Sequence, residues 1–313
     1  MKKYNILVTG CGGDIGQSIG KILKESPLFS KVIGSDLNDE HAGRFIYDQM
    51  VKLPLCSSAD YFESLKNLIK ELDIDFLLPI SEPELRKFTE KKIDRDFHSA
   101  KLICANLKSR EIGFDKLATS NFLKDSNLPF PETDVVGTML DCKLPLILKS
   151  REGSGSKAIF ILNDREEFNF YQNKYPGFIA QELIADSPDE FTCGLFRSSD
   201  NDIRSVIYKR KLVDSYSGYG EVIENASISL LLDIIASKLN LTGSINVQLK
   251  LSNKGPCVFE INPRFSSTVR FRHLMGFEDV IWSIQDRIGQ VLPAFTPPKV
   301  GSKFFKGFNE YIT

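Results

Sequence analysis

Histidine is scarce in this chain, and its scarcity narrows the chemistry. Only His41, His98 and His273 occur in 313 residues, with no clustering. A histidine-based metal centre is therefore not expected, and His273 reads as structural. The six cysteines, Cys11, Cys56, Cys104, Cys142, Cys193 and Cys257, form no close pair. That spacing argues against zinc and against a disulfide framework, and for reduced, buried thiols in a cytoplasm. No apolar run reaches the ~20 residues of a membrane-spanning helix. Met1-Lys2-Lys3 leads into a short strand, so no secretory signal is expected. Charge of one sign is missing too: 40 Lys and Arg against 41 Asp and Glu leave −1, with the basic residues dispersed. No nucleic-acid footprint follows from that balance. Internal repeats and low-complexity tracts are also absent. What is present is 42 % hydrophobic residues in a length that suits two domains, or one with inserted lobes.

Residues 1 to about 108 alternate strand and helix patterns: strand 5–9, helix 14–25, strand 32–36, helix 60–72, strand 75–80, helix 82–95. This predicts an open, mostly parallel α/β sheet. The first turn, Gly10-Cys11-Gly12-Gly13-Asp14-Ile15-Gly16, with Asp36 ending the second strand, fits a dinucleotide fingerprint. Pro79 and Pro83 bracket Ile80-Ser81-Glu82 at a strand's carboxyl end, where ligands gather. Glu82 and Glu84 there suit either a substrate contact or a helix start.

The densest chemistry lies near the C-terminal end. The run Gly243 to Leu251 alternates in polarity, as does Cys257 to Asn262. Asn253-Lys254-Gly255 reads as a three-residue hairpin loop, pairing Ser252 with Pro256 and Gln248 with Glu260. Val247, Leu249, Phe259 and Ile261 would then face a core. Asn246, Gln248, Glu260 and Asn262 would share the other face. A carboxylate among amide oxygens suits Mg²⁺ shared with nucleotide phosphates, although polar strand faces are usually just solvated. Arg264 adds a planar donor fork for a phosphate or carboxylate.

Upstream, Leu144 to Lys149 reads as a strand ending in a cation. It runs into the small-residue loop Ser150-Arg151-Glu152-Gly153-Ser154-Gly155-Ser156-Lys157 and a second strand. Backbone N–H groups of such a loop can fold over phosphates. No GxxxxGK[ST] occurs, so it is not a Walker A loop. Gly177 to Ile184 is an apolar strand stopping at Glu182, and Glu190 leads the next strand. Lys209, Arg210 and Lys211 precede an expected flexible loop at residues 214–220; one of them would anchor a substrate carboxylate, or all three form a solvated basic face. Asn163-Asp164 caps a helix, residues 225–240 form another, and residues 291–313 read as a terminal strand or extension.

Asn246-Val247-Gln248 followed by Glu260-Ile261-Asn262-Pro263-Arg264-Phe265-Ser266 resembles the metal-binding end of the ATP-grasp family. The likeness is to the large subunit of carbamoyl phosphate synthetase and its stand-alone carboxylate–amine ligase relatives, and it covers residues 109–275. It implies a Rossmann-like pre-ATP-grasp domain over residues 1–108, which in such enzymes binds no dinucleotide. A two-lobed ATP-grasp domain over 109–313 would follow, its small lobe at about 145–185. Carried over residue by residue, Lys116 and Lys149 match the phosphate cations and residues 153–156 the phosphate-covering loop. Glu182 matches the adenine acceptor, with Leu183 or Ile184 as the backbone contact, and Glu190 the ribose ligand. Gln248, Glu260 and Asn262 match the metal set, for Mg²⁺ or Mn²⁺.

The implied reaction is attack of a carboxylate on the γ-phosphate of ATP, with Arg264 and Lys149 steadying the transferred group. An amine would then displace phosphate to give an amide or peptide bond. Three alternatives stand beside it: a non-catalytic ATP-binding module, a subunit dependent on a partner chain, and an NAD(P)-dependent oxidoreductase using the N-terminal glycine loop. Small-molecule carboxylate and amine are the expected partners, without nucleic acid or membrane. The oligomeric state, a homo-oligomer included, is left open.

Overall fold

The computed structural model describes residues 2–136, 144–153, 159–184, 188–213, 216–307 and 309–312. The N-terminal part holds β1 (Tyr4–Thr9), α1 (Asp14–Glu25), β2 (Phe29–Asp36), β3 (Gln49–Lys52), α2 (Tyr61–Glu71), β4 (Phe76–Pro79), α3 (Glu82–Glu90), β5 (Asp96–Phe97) and β6 (Ala100–Leu102). The strands line up as β3-β2-β1-β4-β6-β5, parallel except for the β5–β6 hairpin. Strand order reverses beside β1, so the carboxyl ends of β1 and β4 flank the crevice where α/β sheets take ligands. The expected α/β alternation is present. The strands β3, β5 and β6 are short, four residues or fewer, and leave little periodicity to read.

Both faces of this sheet are covered, as a parallel sheet requires. Leu65 and Ile69 of α2 and Phe88 of α3 pack on Leu7, Ile33 and Leu77. The opposite face packs α1 through Ile19, Ile22 and Leu23, together with Phe265, Val269, Val280, Ile281 and Ile284 from far along the chain. Those last residues lie in and around the C-terminal helices α8 (Val269–Leu274) and α9 (Asp279–Arg287), labelled in chain order with the elements below. The N-terminal sheet is thus completed by the C-terminal third of the chain.

The middle of the chain runs through α4 (Leu107–Gly113), α5 (Lys116–Asp125), β7 (Thr133–Val135), β8 (Leu146–Lys149), β9 (Ile159–Leu162), α6 (Arg165–Lys174) and β10 (Ile179–Glu182). Its antiparallel sheet has the order β7-β10-β8-β9. Asp164 caps α6 by accepting the Glu167 N–H at 2.8 Å, as the sequence implies. A third sheet, β15-β14-β11-β12-β13-β16, gathers β11 (Glu190–Arg197), β12 (Ile203–Val213), β13 (Tyr216–Val222), β14 (Gly243–Ser252), β15 (Gly255–Asn262) and β16 (Lys303–Phe305). The helix α7 (Ala226–Leu239) covers one of its faces, sealing Leu232, Ile235 and Leu239 against Val247, Leu249, Val258 and Ile261. Asn225 caps α7 and Asn240 closes it in the left-handed region at φ 48°.

Two expectations change. Residues 216–220, read as part of a flexible loop, form most of β13 and pair with β12; residues 214–215 lie outside the described residues. The β14–β15 hairpin also has a tighter turn than expected. Ser252 pairs with Gly255 and Leu251 with Pro256, leaving Asn253-Lys254 as the loop. A bulge then intervenes: Leu249 pairs with Val258, yet Gln248 pairs with Glu260. Phe259 is the extra residue. It leaves the core face, where Val258 takes its place at 1 % exposure, and turns toward the small lobe.

Candidate active site

Two strand edges and one helix start bring the candidate residues together. Lys149 ends β8, and Gln181 sits on β10 opposite Ile147, two residues before it. That diagonal places both side chains on one face. Lys149 Nζ donates to Gln181 Oε1 at 2.7 Å, and Gln181 Nε2 donates to Thr133 Oγ1 at 2.9 Å. The ammonium also stands over the Phe259 ring at 5.8 Å. At 8 % exposure this is a buried cation with a single neutral hydrogen-bond acceptor. Burial pushes its pKa down to about 8, with Glu260 pulling it back, Lys116 pushing further and Glu190 pulling back. A buried cation held this way is poised to gain from an incoming anion.

Lys116 opens α5, whose N-cap Asp115 accepts from the Leu117 and Ala118 N–H groups. Its Nζ donates to Gly153 O at 2.8 Å and lies 4.0 Å from Glu260 Oε1. Arg151 grips Asp115 through Nε and Nη2 at 2.6–3.0 Å, and Arg86 of α3 reaches Glu152 at 3.1 Å. The start of the glycine-bearing loop is therefore moored to both α5 and the N-terminal part. Ser154, Gly155 and Ser156, expected to cover phosphates, lie outside the described residues.

The metal candidates come from the large antiparallel sheet. Thr192, Gln248 and Glu260 form one register row, and Asn246 and Asn262 another. Glu260 is 22 % exposed and Asn262 8 %, and neither side chain makes a hydrogen bond among the described residues. A half-buried carboxylate without a donor beside an unengaged amide suits a hard divalent cation. Gln248 is already engaged: its Oε1 accepts from Arg210 Nη2 at 2.9 Å, leaving one lone pair for a metal. Gly113 lets the end of α4 press against this hairpin. A Cβ there would meet Pro263 Cδ at 2.7 Å and the Ile261 carbonyl at 2.9 Å.

Glu190, the ribose candidate, pairs across strands with Arg210 and accepts from its Nε at 2.9 Å. Arg210 is 8 % exposed and so belongs to the site, not to a solvated face; only its alternation with Lys209 and Lys211 signalled that. Glu182, the adenine candidate, ends β10. It accepts from Lys254 Nζ at 2.9 Å and from the Glu132 N–H at 3.1 Å. Leu183 is half-buried and Ile184 buried just beyond it. Arg264 is half-buried and donates to the Phe265 carbonyl at 3.0 Å; among the described residues no hydrogen bond or ion pair joins it to Lys149 or Glu260. Gln181 was not singled out in the sequence, and Phe259 was expected on the core face. Gln181 carried one faint signal, a polar residue inside an apolar strand. Phe259 carried none, because the bulge that turns it is not written in the alternation.

The N-terminal glycine loop is differently arranged. Asp36 Oδ2 accepts the Gly12 N–H at 2.7 Å, and a Cβ on Gly12 would meet the His41 ring at 2.7 Å. The imidazole thus lies on the loop where a dinucleotide would need open backbone, and the acid is spent on the loop itself. Against the expectation from sequence, Cys11, Asp36 and His41 do cluster, their ligand atoms within 4.8 Å of one another. No helix among the described residues is long and apolar enough to cross a membrane.

A search of the curated proteins gave no match. The ATP-grasp domain pattern matches residues 114–268. Among solved structures, an ADP complex of N5-carboxyaminoimidazole ribonucleotide synthetase superposes with TM-score 0.76 at 14 % identity, covering 97 % of this chain and 81 % of that one. An L-amino acid ligase from Bacillus licheniformis gives 0.71 at 16 %, covering 93 % and 76 %. The biotin carboxylase domain of Hydrogenobacter thermophilus 2-oxoglutarate carboxylase, in complex with MgADP and bicarbonate, gives 0.76 at 15 %, covering 97 % and 74 %. Identities this low carry the fold, and the domain match falls on the segment that holds Lys116, Lys149 and Glu260. Residues 114–268 form an ATP-grasp domain, and the chain has the ATP-grasp fold.

Proposed function

We propose that this protein is an ATP-dependent carboxylate–amine ligase that forms an amide or peptide bond through an acylphosphate and releases ADP and phosphate. One observation carries the reading. Lys149, buried and held by Gln181, faces the donor-free carboxylate Glu260 across Lys116, which itself is tied to the glycine-bearing loop. Two cations and a spare carboxylate where the start of the glycine-bearing loop meets the β14–β15 hairpin suit a nucleotide triphosphate and its metal.

ATP enters with its phosphates on Lys116 and Lys149. Glu182 and the backbone of Leu183 and Ile184 take the adenine edge, after Glu182 exchanges Lys254 for the ring, and Glu190 takes the ribose. Glu260 and Asn262, with Gln248, would hold Mg²⁺ or Mn²⁺, which supplies charge neutralisation to the phosphates. The substrate carboxylate oxygen attacks the γ-phosphorus and the bond to the β-bridging oxygen breaks. ADP leaves, and Arg264 swings from the Phe265 carbonyl to the transferred group. The amine nitrogen then attacks the acyl carbon, phosphate departs, and the amine proton is lost. No protein nucleophile is needed, because positioning and electrostatics dominate phosphoryl transfer.

The names of the superposing proteins, a ligase, a synthetase and a carboxylase, support this reaction class. The covered glycine loop at Gly12 weighs against the oxidoreductase alternative. The test is a screen of pooled amino acids and small carboxylates for ADP release, followed by turnover of the responding acid labelled with ¹⁸O. One labelled oxygen is expected in the released phosphate. Unlabelled phosphate accompanying amide formation, or AMP as product, would remove the acylphosphate route.

A further inference from the structure

We propose that Cys11, Asp36 and His41 form a second metal site, separate from the nucleotide site and suited to a borderline transition ion such as Zn²⁺. Cys11 follows β1 in the glycine loop, Asp36 ends β2, and His41 precedes a short 3₁₀ turn at Ala42–Phe45. Their ligand atoms lie within 4.8 Å of one another, and His41 Nε2 is 4.0 Å from Asp36 Oδ2. Around Zn²⁺, with bonds of about 2.0–2.3 Å to nitrogen, oxygen and sulfur, three such donors need only a small inward turn.

Three observations point to an occupant. Both ring nitrogens of His41 are shielded from solvent and have no hydrogen-bond partner. A neutral imidazole carries one donor and one acceptor, and leaving both buried and unused is costly. The Cys11 side chain is 0 % exposed. No other side chain hydrogen-bonds its thiol among the described residues, although it lies within reach of a carboxylate and an imidazole. Asp36 is fixed by accepting from Gly12 N at 2.7 Å and Leu37 N at 2.8 Å, which orients it as a ligand and leaves oxygen lone pairs free. A metal would engage one donor atom from each of the three groups.

The donor set selects the ion. One sulfur, one imidazole nitrogen and one carboxylate oxygen favour Zn²⁺, Co²⁺ or their neighbours over Mg²⁺. The oxygen-only set at Glu260 has the reverse preference. Binding exchanges the thiol proton for the metal: the S–H bond breaks, an S–metal bond forms, and one proton passes to solvent. Asp36 and His41 keep 23 % and 17 % side-chain exposure, which gives the ion a way in and leaves a fourth position for water or a ligand. The occupied site would clip the glycine loop to β2 and its following turn.

The test is Co²⁺ titration of the full chain, stripped with chelator and free of nucleotide. One equivalent is expected to bring intense visible bands of tetrahedral Co²⁺ and a near-ultraviolet thiolate-to-cobalt band, with release of about one proton. Cys11→Ser should lose the thiolate band, and His41→Ala should weaken binding at least about tenfold. Each variant is checked by circular dichroism and melting without metal. Glu260→Gln should leave the thiolate band unchanged, which separates this site from the nucleotide metal. Absence of a thiolate band in the parent protein, or its persistence in folded Cys11→Ser, would overturn the proposal.

Discussion

Lys149 concentrates the argument at the scale of single residues. Its buried ammonium has Gln181 as its hydrogen-bond partner, so Lys149→Ala removes a cation without stranding a charge. ATP affinity should fall about 10–100-fold, the range of ~1.5–3 kcal/mol for a hydrogen bond to a charged group. Calorimetry checks this. Glu182 invites the opposite experiment. Its pairing with Lys254, 38 % and 48 % exposed, is worth only about 0.2–1 kcal/mol. Lys254→Ala should raise ATP affinity by up to about fivefold, and Glu182→Ala should lower it. No change in either variant would remove Glu182 from the adenine edge.

Glu84 tests the electrostatics of the crevice. Buried, and accepting hydrogen bonds from Tyr61 and Ser81, its carboxyl is raised above the usual range, by desolvation first. The folded protein therefore keeps this proton at pH values where the unfolded chain has lost it. Stability from this group is present below the unfolded pKa and declines as pH rises toward the folded one. Glu84→Gln, a neutral stand-in, should gain in melting temperature relative to the parent as pH rises above the unfolded carboxyl value of about 4.3. A difference independent of pH would contradict the assigned shift.

At the scale of elements, the β14–β15 hairpin teaches most about what a sequence discloses. Polarity alternation located both strands and put Gln248 opposite Glu260. The pairing came out right through two compensating departures: a loop one residue shorter and a bulge one residue longer. Turn length and bulges are set by local backbone geometry and by the packing of Phe259 under Lys149, neither of which alternation encodes. The helix boundaries of α7 were legible because Asn225 and Asn240 are its caps. The pairing of β13 was not, since glycines and serines at residues 217–220 read as loop. Its partner strands and Phe304 supply the packing that the sequence lacks locally.

The join between α8, α9 and β14 carries a buried ion pair. Arg272 and Asp279 are both 0 % exposed, with Nη2 and Oδ2 2.9 Å apart, and Ser244 Oγ donates to the same Oδ2 at 2.5 Å. Asp279→Ala strands the guanidinium and should cost about 3–5 kcal/mol. Chemical denaturation should show this as a lower midpoint. A loss under 1 kcal/mol would mean that Arg272 finds other partners.

Across the whole molecule, the order of chemistry along the chain was more legible than its assembly. Lys116 opens a helix, Lys149 and Glu182 end strands, Glu190 begins one, and Gln248 and Glu260 stand inside strands of alternating polarity, and each of those patterns can be read along the chain. That α8 and α9 complete the core of the N-terminal sheet could not be read, because burial of Val269 or Ile284 does not say against what. The clustering of Cys11, Asp36 and His41 was missed for the same reason: contact comes from the β1–β2 register, not from spacing along the chain.

The central claim is that Mg²⁺ and ATP bind at the junction of Lys149 and Glu260, with the N-terminal glycine loop playing no part in nucleotide binding. Calorimetric titration of the parent protein, Lys149→Ala and Glu260→Gln with ATP, with and without Mg²⁺, tests it most directly, with NADPH as control. The account predicts Mg²⁺-dependent ATP binding in the parent, weakened by Lys149→Ala, made indifferent to Mg²⁺ by Glu260→Gln, and no heat with NADPH. Saturable NADPH binding, or ATP binding that ignores both substitutions, would contradict it.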